Sequence, residues 1–179
     1  PDNAQDRLVD TLDRANDSVD VIQVTVGYES DLATALRRAA RRGARVRLLL
    51  SSAWYVREDN RALSERFREW ASEHDAPLTA RLADPNGRYG KIHAKGAIVD
   101  DRRVVLGSLN WNEQAATSNR EVIVLLRGRA VADYYGGVFD ADWEGDRSPL
   151  PYGLLAAVAG CLGLAVIVGR KIGFEGDLG

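Results

Sequence analysis

The feature that most limits what this chain can fold into is a strand–helix–strand succession near its start. Residues 19–26 (Val-Asp-Val-Ile-Gln-Val-Thr-Val) are rich in β-branched side chains and read as a strand. Ser30 then stands where a helix N-cap belongs, ahead of an apolar stripe at Leu32, Ala35, Leu36, Ala39 and Ala40. Gly43 sits where a glycine stop ends such a helix, and residues 46–50 then read as a short buried strand. A helix between two buried strands is the signature of a parallel βαβ unit, so the expected class is α/β. Ala4, Leu8, Leu12 and Ala15 mark a helix before the unit. Leu63, Phe67, Trp70 and Ala71 mark one after it, and Val131, Tyr134, Tyr135 and Val138 mark a last one.

This pattern stops at about residue 148. Residues 149–169 carry no charge, residues 152–168 are nearly all apolar, and Arg170 and Lys171 follow at once. Some twenty uncharged residues make about 30 Å of helix, the thickness of a bilayer's hydrocarbon core. The organisation expected is a domain over 1–148, a transmembrane helix over 149–169 and a short tail over 170–179. The two basic residues after the span predict a cytoplasmic tail and a domain outside the cytoplasm, in a single-pass membrane protein. The chain opens at Pro1 and has no Met, which suggests that a preceding portion is missing.

Composition excludes several chemistries. A single cysteine, Cys161, rules out an internal disulfide framework and a multi-cysteine metal site. With His74 and His93 the only histidines, a histidine-based zinc site is disfavoured as well. The net charge of −2 gives no global pull toward polyanions. A local arginine cluster at 37, 38, 41, 42, 45 and 47 lies on the polar side of the capped helix and runs into the next strand. It reads as a solvated face rather than a nucleic-acid patch.

The chemistry concentrates in residues 91–111. Two strand-like runs, 92–99 and 104–110, are joined by Asp100-Asp101-Arg102-Arg103, which suits a tight hairpin. If that turn is symmetric, His93 faces Asn110 and Lys95 faces Ser108, and all four polar side chains converge on one face. Burying them without a ligand would be costly. An ammonium with neutral hydroxyl and amide donors suits the non-bridging oxygens of a phosphodiester, and the imidazole can attack phosphorus. A histidine nucleophile needs its far ring nitrogen oriented by an acceptor, and Glu121, at the start of the strand-like run 121–126, is the nearest candidate.

The series His93-x-Lys95-x4-Asp100-x6-Gly107-Ser108-x-Asn110 resembles the HKD motif of the phospholipase D superfamily, and the resemblance extends over residues 1–145. Glu121 falls where that family keeps its histidine-orienting acid. The resemblance implies a mixed sheet flanked by helices, a phosphohistidine intermediate and no cofactor or metal. It makes His93 the nucleophile or general acid, with Lys95, Ser108 and Asn110 holding phosphate. Asp100 and Gly107 become structural members of the motif, with Asp100 orienting the hairpin. It further implies two such motifs face to face, whereas this chain has one. The second is expected from a missing N-terminal half, or else from a homodimer. The expected function is a phosphodiesterase that hydrolyses or transfers phosphodiesters, phospholipid headgroups preferred. A membrane-anchored nuclease is the alternative, and a non-catalytic scaffold a weaker one.

Overall fold

A computed structural model of the chain describes residues 4–85 and 89–145. Their order is α1 (Ala4–Asp13), β1 (Ser18–Gln23), α2 (Asp31–Arg41), β2 (Arg45–Leu50), α3 (Arg57–Glu73) and β3 (Leu78–Leu82). There follow β4 (Gly96–Val99), β5 (Arg103–Gly107), α4 (Glu113–Ser118), β6 (Ile123–Arg127) and α5 (Arg129–Glu144). The six strands form one mixed sheet in the order β3-β2-β1-β4-β5-β6. The β1–β2 and β2–β3 pairs are parallel, and the pairs from β1–β4 to β5–β6 are antiparallel. The expected βαβ unit is therefore present as β1-α2-β2, and the α/β class holds. The transmembrane helix expected over 149–169 lies outside the described residues, as does the tail after it. Among the described residues no helix is long and apolar enough to cross a membrane.

Each face of the sheet carries its own apolar layer. Val19, Val21, Val46, Leu48 and Leu50 pack with Leu8 and Leu12 of α1, Leu32 and Leu36 of α2, and Phe67 of α3. Leu49, Ile98 and Val104 turn the other way, toward Ala132 and Phe139 of α5. The period-two alternation along β2 thus divides its side chains between the two layers. Helix α2 forms where its caps place it. The Ser30 side chain accepts the Ala33 N–H at 3.2 Å, and Gly43, at φ +97°, ends the helix.

The hairpin differs from the symmetric one expected. Ala97 pairs with Val105 and Val99 with Arg103, a register one residue away from the one that opposes His93 to Asn110. The cause is the turn. Asp100 and Asp101 both take left-handed conformations, at φ 53° and 48°, and Arg102 N–H donates to the Val99 carbonyl at 3.2 Å. Three residues, 100–102, therefore lie outside the ladder and shift every facing pair. The strands are also shorter than expected. Chain 91–95 is irregular: the β1–β4 ladder ends at Ile22 and Gly96, and β1 ends at Gln23. Val26 instead bridges to Trp111, and Gly27 N–H donates to the Trp111 carbonyl at 2.8 Å.

The arginine cluster is largely exposed, as expected, at Arg38, Arg41, Arg42 and Arg45, and it is also tied to partners within the fold. Arg38 forms a two-point contact with Asp13, at 2.9 and 2.7 Å. Arg42 reaches the Leu12 and Ala15 carbonyls. Arg47 grips Asp20 through two 2.6 Å bonds, reaches Asp140 at 2.8 Å, and lies over the Phe139 and Trp143 rings. The Arg47 and Asp20 side chains are 16% and 4% exposed, so losing one partner strands a buried charge. Arg47→Met is therefore expected to cost about 3 kcal/mol, whereas Asp20→Leu with Arg47→Met together should cost much less. Denaturant unfolding of the two variants measures the difference.

Candidate active site

The candidate residues gather at one edge of the sheet. Strand β1 meets β2 through Gln23 and Leu50 and meets β4 through Ile22 and Gly96. The C-terminal ends of β1 and β2 and the entry to β4 therefore lie side by side. His93 and Lys95 stand on that entry, and Ser108 and Asn110 on the exit from β5. His93 is exposed and Lys95 half-buried. Gly96 and Gly107 let neighbouring backbone approach. A Cβ on Gly96 would lie 2.7 Å from the Val105 carbonyl oxygen, and one on Gly107 would meet the Val122 carbonyl oxygen at 2.1 Å. No side chain fits at 107 without moving the chain that carries Glu121.

Lys95 Nζ donates to the His93 carbonyl at 2.8 Å and lies 3.4 Å from His93 Nδ1. An ammonium beside Nδ1 favours the tautomer with that nitrogen unprotonated, leaving the proton on Nε2. The Glu121 carboxylate accepts a short hydrogen bond from Ser108 Oγ and a 3.1 Å bond from Asn119 Nδ2. Ser108 Oγ in turn accepts the Val122 N–H at 3.1 Å. Asn110 Oδ1 is buried with no partner. An amide in that position seeks a ligand, since an unmatched buried polar atom is unfavourable.

Charge is arranged around Lys95. Burial pushes its ammonium below the ordinary lysine value, and the nearby Glu121 carboxylate opposes that shift. Glu121 is held below the usual carboxylate range, first by the bond from Ser108, then by that from Asn119, with Lys95 adding to both. The bonds to Glu121 thus favour its carboxylate, while burial works against the Lys95 ammonium and Glu121 partly offsets it.

The structure brings His93 to Lys95, and Ser108 to Glu121, with Lys95 and Glu121 in electrostatic contact. It does not pair Glu121 with His93, because the carboxylate is occupied by Ser108 and Asn119. The Ser108 hydroxyl proton is likewise given to Glu121. Asp100 stands at the far end of the hairpin, where its Oδ1 accepts from the N–H groups of Asn16, Asp17 and Ser18 at 3.0, 2.9 and 3.2 Å. Its Oδ2 faces Arg103 at 3.3 Å. Asn119 escaped the sequence reading, although a polar residue two before Glu121 is a signal for a local side-chain bond.

Residues 8–143 match the family described as "Cardiolipin synthase, PLD-like domain". The mitochondrial cardiolipin hydrolase of Xenopus tropicalis is 31% identical over 84% of this chain and 66% of its own length. A phospholipase D of Rickettsia prowazekii is 27% identical over 72% of this chain and 57% of its own. The chain thus spans somewhat under two thirds of these curated relatives. Among solved structures, NucT from Helicobacter pylori superposes with a TM-score of 0.66 at 24% identity, over 80% of this chain and 89% of its own. Nuc from Salmonella typhimurium, a phospholipase D family member, gives 0.65 at 21% identity, over 80% and 88%. Both share the fold.

The electrostatics yield a prediction that is independent of any activity. The Lys95 side chain should titrate below the ordinary lysine value. Glu121→Gln should lower it further, because the substitution removes the charge that raises it and leaves the burial that lowers it. Carbon-13 NMR of the lysine ε-carbons across alkaline pH reads both values, and an upward shift in the variant would contradict the arrangement.

Proposed function

The chain belongs to the phospholipase D-like family, and from that premise we propose that it is a phosphodiesterase working through a phosphohistidine at His93. Two observations support the reading: an exposed imidazole paired with a half-buried lysine, and an unpartnered amide on Asn110 at the exit from β5. Lys95 and Asn110 would hold the non-bridging oxygens of the diester. The His93 ring would attack phosphorus, breaking the bond to the leaving oxygen, which takes a proton from a second histidine. Water or an alcohol, deprotonated by that second histidine, would then attack phosphorus and release His93.

With its proton on Nε2, the neutral imidazole offers its lone pair only at Nδ1, toward Lys95. Attack requires the other tautomer, with Nδ1–H given to an acceptor. In this proposal Glu121 supplies that acceptor once substrate draws Ser108 away, so that Ser108 also joins in holding phosphate. Asp100 and Gly107 have structural roles, fixing the hairpin and admitting the backbone of residue 122.

The second histidine must come from a second motif, in another copy of the chain or in a portion that precedes it. A surface for such a partner is at hand: Val122, just before β6, and Val124 and Leu125 on it lie exposed, following Glu121. Phospholipid headgroups are the favoured substrate. Relatives are named for cardiolipin and phospholipid hydrolysis, the uncharged run 149–169 suits a single-pass anchor with the domain outside the cytoplasm, and the clustered arginines are engaged within the protein. A membrane-anchored nuclease is the second reading.

His93→Ala should reduce turnover of a generic diester by about a thousandfold or more with an unchanged unfolding midpoint. Wild-type activity in that variant would end the proposal. On the alkaline side kcat/KM should fall as Lys95 loses its proton, at a pH below that of an exposed lysine. Lys95→Arg, if active, should move that limb upward, and steady-state rates from neutral to alkaline pH test it. Cleavage of single-stranded DNA in preference to phospholipid would select the nuclease reading.

A further inference from the structure

The loop that follows β2 emerges at the same sheet edge as His93, and it presents two aromatic rings to solvent. Trp54 is 86% exposed and Tyr55 41% exposed. Their rings meet edge to face, with centroids 5.6 Å apart. Lys91, two residues before His93, places its Nζ 5.1 Å from the Tyr55 ring centroid. The rings are therefore neighbours of the chain that carries the imidazole.

This exposure does not come from a loose loop. Asn60, fully buried in α3, donates from Nδ2 to the Ser51 carbonyl at 2.8 Å and to the Val24 carbonyl at 2.7 Å. Arg57 Nε donates to the Ser52 carbonyl, Ser51 Oγ accepts the Ala53 N–H, and Val56 N–H closes a turn on the Ala53 carbonyl. Trp54 and Tyr55 are the central residues of that turn, a position where small polar residues ordinarily sit. A held turn keeps the largest apolar side chain in water, at a cost that only a partner can recover.

We infer that Trp54 and Tyr55, with Lys91 beside them, insert into the headgroup layer of a phospholipid bilayer and seat the edge bearing His93 on the membrane surface. This rests on the reading of His93 as the centre of a phosphodiester site. Indole and phenol rings prefer the boundary between hydrocarbon and water, and an ammonium at their base meets headgroup phosphate. The single-pass anchor proposed for the uncharged run 149–169 would bring the domain to the same occupant, a bilayer. Stacking on nucleic-acid bases is the rival use of such rings, and it wants a basic track along the backbone. Arg38, Arg42 and Arg47 are committed to Asp13, to the Leu12 and Ala15 carbonyls, and to Asp20 and Asp140, and Arg37 and Arg41 lie over Tyr28 and Trp70.

Tryptophan emission tests this directly. The four tryptophans are at 54, 70, 111 and 143, so none lies in the apolar run. Trp111 is buried, Trp70 stacks on His74 and Trp143 on Phe139. The full chain is reconstituted into vesicles of phosphatidylcholine and phosphatidylglycerol, with and without bromine on the acyl chains. Bromine should quench part of the wild-type emission, and Trp54→Phe should abolish that quenched part. Equal fractional quenching in the two proteins would overturn the inference. So would quenching of Trp54 by single-stranded DNA with none by brominated lipid. The readout needs no turnover and should be the same in His93→Ala. Loss of the proposed chemistry and loss of this surface are thus separate results.

Discussion

Three backbone N–H groups pointing at one carboxylate organise the rest of this domain. Asp100 receives the amides of Asn16, Asp17 and Ser18 on a single oxygen, and so pins the tip of the β4–β5 hairpin to the start of β1. Charge-assisted bonds of this kind are stronger than neutral ones. Once the tip is pinned, Val19 must pair with Val99 and the ladder runs to Ile22 and Gly96. Lys95 then lies just before β4, with its carbonyl still accepting the Gly107 N–H, and it turns its ammonium back onto the His93 carbonyl. A contact at one end of the sheet thereby sets which residues emerge at the other.

Much of this fold was legible because its determinants are local. The Ser30 cap, the Gly43 stop and the apolar stripe of α2 are decided within a dozen residues, and they appear as read. The hairpin register was not legible, because it depends on Asp100 and Asp101 entering the left-handed region and tightening the turn from four residues to three. That choice answers to amides more than eighty residues away in sequence. For the site, the residue types were legible and their pairings were not. Nothing in the sequence told that Glu121 would accept from Ser108 and Asn119, or that the arginines would each find a partner within the fold.

Those arginine contacts bear on what the surface can bind. A cluster of six arginines looks like a polyanion track when written as a sequence. Here Asp13, Asp20 and Asp140, together with main-chain carbonyls and aromatic faces, absorb it, so the charge serves cohesion. The positive charge at the sheet edge comes from lysines instead, which are compact and strongly hydrated. One of them is partly stripped of water by its surroundings.

The last strand of the sheet carries a different consequence. Among the described residues one long side of β6 has no strand paired to it, with Val124 and Leu125 exposed on the strand and Val122 just before it. An unpaired strand with apolar side chains is a template for another strand, whether or not that strand is the proper one. Glu121 and Arg127 bracket the stretch with opposite charges, in the manner of residues that discourage indiscriminate stacking. Neutralising either charge should therefore raise the tendency of this strand to pair with a strand of another copy.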